Sequence, residues 1–206
     1  MSPNVAVLLE TIIERRIALT VIGREAGAGK TTLLTALLAK LPPAVTPVVL
    51  RGRYEPFDFV GDPARLPAET ALLINEISPH WPFYLWGPAV AKALRLTRRG
   101  YATYATAHAA SPAELIAMLA AEPLRVPMRD IASLGVIVVL GRQRMSTGPP
   151  DNLHRVTSCH GLALAPDGQS TEQFALACPG QAGGAISQPA VVTAWEQRNR
   201  LGPLNP

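Results

Sequence analysis

The stretch IALTVIGREAGAGKTTLLTALLAKL, residues 17 to 41, constrains the fold more than any other part of the chain. IALTVI is an apolar, partly β-branched run and predicts a buried strand. The next seven residues hold three glycines, and TTLLTALLAKL then predicts a helix that Pro42 and Pro43 stop. Residues 24 to 31 follow the pattern G-x-x-x-x-G-K-[ST] everywhere except at its first position, where Arg24 stands. Gly23, one residue earlier, relieves part of the bend that the missing glycine would serve.

This pattern has a physical purpose. Gly27 and Gly29 let successive backbone N–H groups point inward, and with the helix N-terminus they form a cradle for phosphate oxygens. Lys30 is placed to reach the β- and γ-phosphates of ATP, and the Thr31 hydroxyl to complete the coordination of Mg2+. Thr32 supports the helix start. The whole loop, Gly23, Arg24, Glu25, Ala26, Gly27, Ala28, Gly29, Lys30, Thr31 and Thr32, is the expected nucleotide-binding segment. A bare glycine turn with a lysine at its mouth is the plainer reading, and the apolar strand before it and apolar-faced helix after it weigh against that. Arg24 either points away from the loop or adds positive charge beside it.

The rest of the chain continues in the same style. Val5, Leu8, Leu9, Ile12 and Ile13 fall on one face of a first helix. TPVVL (46 to 50), ALLINEIS (71 to 78), YATYATA (101 to 107) and LGVIVVL (134 to 140) predict strands. Between them, residues 51 to 69 lack any steady period and predict irregular surface. A helix is expected within YLWGPAVAKALRLTRR, with Gly87-Pro88 near its start. Ser111-Pro112-Ala113-Glu114 combines a serine cap, a first-position proline and a third-position glutamate. Strands alternating with helices predict an α/β fold, a mostly parallel sheet with helices on both faces. From about residue 141 the texture changes to strands joined by Gly, Pro and Asp turns, which predicts a small antiparallel C-terminal extension of the same sheet. Residues 1 to 178 are read as a single domain. Residues 179 to 206 are read as an irregular tail in which VVTAWEQRNR forms a short helix.

Two further residues carry chemistry. Glu76 ends the ALLINEI strand, at the sheet edge where ligands sit in open α/β folds, and there it would orient or deprotonate an attacking water. Asn75 beside it would hold a water of the magnesium shell. His108 ends the YATYATA strand at the same edge, placed to contact the γ-phosphate. The plainer alternatives are a surface glutamate and a histidine that satisfies a buried carbonyl. Arg51, Arg53 and Glu55 after the second strand are candidate accessory groups, whereas Arg98 and Arg99 suit the C-terminal dipole of a helix.

Several classes are disfavoured. The net charge of +4 comes without a basic stripe interleaved with aromatics, so direct nucleic-acid binding is not expected. Glu10 and Glu14 interrupt the opening apolar run, which therefore does not read as a secretion signal. No apolar stretch is long enough to span a membrane. Cys159 and Cys178 are too few for a disulfide scaffold and read as thiols of a reducing cytosol, and Cys159-His160 lacks the spaced partners of a metal site. A cytoplasmic location follows as an expectation, with any membrane association arising through partners.

These motifs together resemble the C-terminal motor domain of the type II/type IV secretion and pilus-assembly ATPases. REAGAGKTTLL is similar to that family's GGTGSGKTTLL, and TAHAASPAE (106 to 114), with RRGYATYATAHA leading into it, is similar to its threonine-x-histidine-alanine motif. The resemblance covers roughly residues 5 to 178, LHRVTSCHGLAL and FALAC matching the family's final strands. It implies a RecA-like P-loop NTPase sheet and Mg2+-dependent ATP hydrolysis. By it, Lys30 and Thr31 take the nucleotide and magnesium roles, Glu76 the catalytic glutamate role and His108 the histidine-box role, with a looser match of Glu55 to an acidic motif. It also implies a homo-oligomer or a longer ATPase paralogue as partner, and a secretion or pilus membrane platform protein beyond that. The sequence departs from the family at Arg24, at Ser78 where an arginine is expected, in a shorter segment between residues 55 and 71, and in having no room before residue 17 for the family's N-terminal domain. Those departures keep open a second reading, a nucleotide-responsive regulatory or assembly module with little or no hydrolysis.

Overall fold

The computed structural model describes residues 3–142 and 154–177. Helix α1 (Pro3–Glu14) leads into β1 (Leu19–Ile22), α2 (Lys30–Leu38), β2 (Thr46–Val49), β3 (Thr70–Ile77) and α3 (Pro88–Arg98). The chain continues through β4 (Ala102–Ala107), α4 (Pro112–Ala120), α5 (Met128–Ile131), β5 (Val136–Arg142), β6 (His154–Leu164) and β7 (Thr171–Ala177). The seven strands form one sheet in the order β2-β3-β4-β1-β5-β6-β7. The first five are parallel, and β6 and β7 join antiparallel. The antiparallel extension is therefore present on the same sheet. The Val-Val-Thr-Ala-Trp helix expected in the tail, and Cys178, lie outside the described residues.

The period-two alternation of buried strands explains the two cores. In β5, Val136, Val138 and Leu140 pack on the α1/α2 side, while Ile137 and Val139 pack on the α3/α4/α5 side. β1 does the same with Leu19 and Val21 against Ile22. The five apolar residues of α1 named above are all buried against the first of these layers. At roughly 1.5–3 kcal/mol per large apolar side chain, that stripe is enough to hold the helix on the sheet. Pro47, which has no N–H for a ladder, is accommodated because β2 is an edge strand.

Two helix starts show why the elements begin where they do. The Ser111 hydroxyl accepts from Glu114 N (3.2 Å), Pro112 occupies the first turn, and the Glu114 carboxylate accepts from Ala110 N (2.9 Å). Gly87 precedes Pro88 at the start of α3 with φ of 69°. Short α5 was not legible in advance. It is held by Asp130, fully buried, which accepts from Arg98 of α3 at 2.9 Å and lies 3.8 Å from Arg95. No helix among the described residues is long and apolar enough to cross a membrane.

Candidate functional site

The order β3-β4-β1 sets three strand ends side by side, and each delivers one functional segment to the same edge. β1 runs into the loop 23–29, β3 ends on Glu76 and Ile77, and β4 ends just before His108. They enclose a cleft of about 300 Å³ lined by Ala26, Gly27, Ala28, Gly29, Lys30, Thr31, Thr32, Glu76, Tyr84 and His108.

The loop has the backbone that its glycines permit. Gly27 and Gly29 adopt φ of 74° and 81°, and a Cβ added at either would meet no protein atom within 4 Å. Gly29 caps α2. The substitution at position 24 has a local explanation. Arg24 does not take a positive φ, and the close approach falls on Gly23, where a Cβ would lie 3.2 Å from the Leu140 carbonyl oxygen. Arg24 points out of the cleft to Glu114 at 3.5 Å, in an exposed pair. Such a pair is worth little in stability, ~0–1 kcal/mol. It does leave the guanidinium directed at the start of α4 instead of at the loop.

Lys30 is buried at 6% exposure, and its ammonium folds back on the carbonyls of Gly23 and Glu25, both at 3.4 Å. Desolvation lowers its pKa below the ordinary 10.5, partly opposed by the Glu76 carboxylate. Glu76 is itself only 7% exposed. Its Oε1 lies 3.0 Å from His108 Nε2 but without the alignment of a hydrogen bond, so this buried oxygen has no donor among the described residues. The His108 ring stands edge-on to His80 at 5.9 Å, and His80 Nδ1 contacts the buried Ser78 hydroxyl at 2.7 Å.

The remaining candidates are elsewhere. Asn75 is exposed and lines a neighbouring, mostly apolar groove of about 340 Å³, which shares Thr31 with the cleft and includes Arg51, Val49, Phe83 and Thr106. The Asn75 carbonyl accepts from Thr106 Oγ1 at 2.5 Å. Glu55 caps its own turn, accepting from Arg51 N at 2.5 Å and Phe57 N at 2.7 Å. Arg53 donates to the Pro79 carbonyl at 3.1 Å. None of Arg51, Arg53 and Glu55 lines the cleft. Tyr84 is a cleft residue that sequence reasoning missed, while His80 stands against His108 without lining the cleft. Cys159 is buried in the α1/α2 layer, while the neighbouring His160 contacts Ser158 Oγ at 2.9 Å.

A phosphate fits this donor set. The loop backbone is open to approach, and a desolvated ammonium holds only two long contacts. Binding a polyanion would restore the charged state that burial disfavours in Lys30. Among the described residues no three His, Cys, Asp or Glu side chains gather to hold a metal. A magnesium ion would here be held by the Thr31 hydroxyl together with phosphate oxygens, the usual arrangement when Mg2+ arrives with a nucleotide.

Sheet and flanking helices make a mixed α/β protein, an architecture consistent with the Rossmann-like, P-loop kind. No protein-family profile matches the chain, and a comparison with curated proteins finds no match. Among solved structures, it is similar to the crystal structure of the VirB11 ATPase from the Brucella suis type IV secretion system in complex with sulphate. The identity is 16% and the TM-score 0.49, and the match covers 77% of this chain and 56% of that one.

Proposed function

We propose that the chain binds Mg-ATP in the cleft between the loop 23–29 and Glu76, and that it hydrolyses it. The observation that carries this reading is that two buried charged side chains, Lys30 and Glu76, line one cleft together with the glycine loop. The loop amides hold the inner phosphates, and Lys30 neutralises charge where the outer phosphates meet. The Glu76 carboxylate accepts a proton from the attacking water, with His108 Nε2 standing 3.0 Å from its Oε1. Thr31 would hold the magnesium ion that accompanies the nucleotide, and that ion would supply neutralisation of phosphate charge.

The motif resemblance supports a motor core related to the secretion and pilus-assembly ATPases. On that basis the partners are further copies of the chain or a longer paralogue, with a membrane platform protein beyond, and the setting is cytoplasmic. One observation favours the second reading, a nucleotide-responsive module with little turnover. Among the described residues Lys30 is the only lysine or arginine lining the cleft, Arg24 being paired with Glu114 and the position of Ser78 holding a hydroxyl engaged with His80. Hydrolysis would then need an arginine from a neighbouring subunit, which a closed ring of like chains supplies.

The test is phosphate release by wild type and Glu76→Gln over a range of protein concentrations, with ATP binding measured alongside. Hydrolysis is expected to rise per protomer as chains associate. Glu76→Gln should retain binding and lose at least ~100-fold in turnover, the lower end of general-base contributions. Binding without turnover at any concentration would establish the module reading. Absence of binding would reject both.

A further inference from the structure

Residues 79 to 86 bring to the cleft a side chain that the reaction above does not use. After Ile77 the chain turns back and is pinned to the end of β3. Leu85 N donates to the Glu76 carbonyl (2.9 Å), Ser78 N to the Leu85 carbonyl (3.3 Å), and Ile77 and Leu85 form a parallel bridge. On its other side the segment is held by the turn at Gly52–Tyr54. Arg53 donates through its backbone N to the Pro82 carbonyl (3.0 Å) and through its side chain to the Pro79 carbonyl (3.1 Å). Gly52, with φ of 82°, lies so close that an added Cβ would sit 2.5 Å from the Phe83 backbone carbon. Only a residue without a side chain fits there.

Clamped in this way, Tyr84 joins Lys30, Glu76 and His108 in lining the cleft. Its N–H is satisfied by the Trp81 carbonyl (3.0 Å) and its ring by an edge-on contact with Phe83 at 4.7 Å. Its hydroxyl has no hydrogen-bond partner among the described residues. Desolvation, and then the charge of Glu76, push its pKa up from the ordinary 10, so the phenol is neutral and available as a donor at physiological pH. The phenol is near enough to Glu76 to feel its charge, and in the reading above Glu76 acts at the terminal phosphate while the loop amides hold the inner ones.

We infer that Tyr84 is a phosphate-contacting residue whose hydroxyl donates to the terminal phosphate of a bound nucleoside triphosphate, distinguishing it from the diphosphate. This rests on the nucleotide reading above and assigns the site a residue that separates its substrate from its product. The clamp at Gly52 and Arg53 is what positions the donor.

The test uses the full chain and two ligands, a non-hydrolysable Mg-ATP analogue and Mg-ADP, titrated by calorimetry. Tyr84→Phe removes one oxygen and keeps the ring. It is expected to weaken the triphosphate analogue ~10-fold, as for a lost hydrogen bond to a charged group, and to leave ADP within about twofold. Gly52→Ala, with Tyr84 intact and folding checked by thermal melting, should reproduce the selective loss by displacing the segment. Equal analogue affinity in wild type and Tyr84→Phe overturns this inference and leaves the nucleotide site standing. Equal weakening of both ligands also overturns it, because the contact is then not to the terminal phosphate. A wild type that binds neither ligand overturns the inference together with the reading beneath it.

Discussion

Replacing Lys30 by alanine separates a phosphate-binding lysine from one that only closes its own loop. In the free protein the ammonium is buried, its two carbonyl contacts are each 3.4 Å, and desolvation lowers its pKa. Burial therefore makes the charge a cost to the folded state, and its removal should leave the melting temperature unchanged or raise it. Against a phosphate the same charge would form short, charge-assisted bonds. Losing one such bond costs about 1.5–3 kcal/mol, or roughly 10- to 150-fold in Kd. Calorimetric titration with Mg-ATP and differential scanning fluorimetry measure the two quantities on the same samples. Lys30→Met keeps the apolar stem and should give the same loss of binding. A folded Lys30→Ala protein binding Mg-ATP within twofold of wild type would refute the argument. A large drop in melting temperature would show instead that the two carbonyl contacts are structural.

Because a bound polyanion raises the Lys30 pKa that burial lowers, ATP affinity should fall as pH rises through the free protein's lowered value, below 10.5. Stability runs the other way for this group, rising between that lowered value and 10.5, so the difference between wild type and Lys30→Met in both titrations isolates it. Arg98→Ala should destabilise the fold by about 3 kcal/mol, because among the described residues it leaves the fully buried Asp130 with only Arg95 at 3.8 Å. Urea unfolding measures this, and a change below about 0.5 kcal/mol, the usual range for surface substitutions, would show that the pair carries no buried-charge penalty.

What the sequence revealed and what it hid divide along the range of the interactions. The glycine turn between β1 and α2, the α1 stripe and the Ser111 cap depend on residues within a few positions of one another, and the conformation of each could be read directly. Glu76 and His108 could be placed at one sheet edge because each ends a strand. The direction of Arg24 could not be read, since its partner Glu114 lies on a different element. The role of residues 79 to 84 was hidden for a similar reason. PHWPFY has neither helical nor strand period, and what orders it is contact with Gly52, Arg53 and the end of β3. The hydrogen bonds of Glu55 to its own turn were likewise invisible to a motif match that saw only an acidic residue after a strand.

The placement of β1 between β4 and β5 has a consequence in time. The strand that carries the glycine-rich loop precedes both of its neighbours in the chain, yet Leu19 pairs with Tyr104 on one side and Val136 on the other. A growing chain thus presents its glycine-rich segment long before either flank exists, and Gly23 finds its backstop only when Leu140 has emerged. Such distant pairings close slowly, after much chain entropy has been lost. On the proposed reading, nucleotide therefore stabilises only the finished sheet. During refolding, recovery of ATP binding should coincide with burial of β5 and lag behind the helical signal of α1.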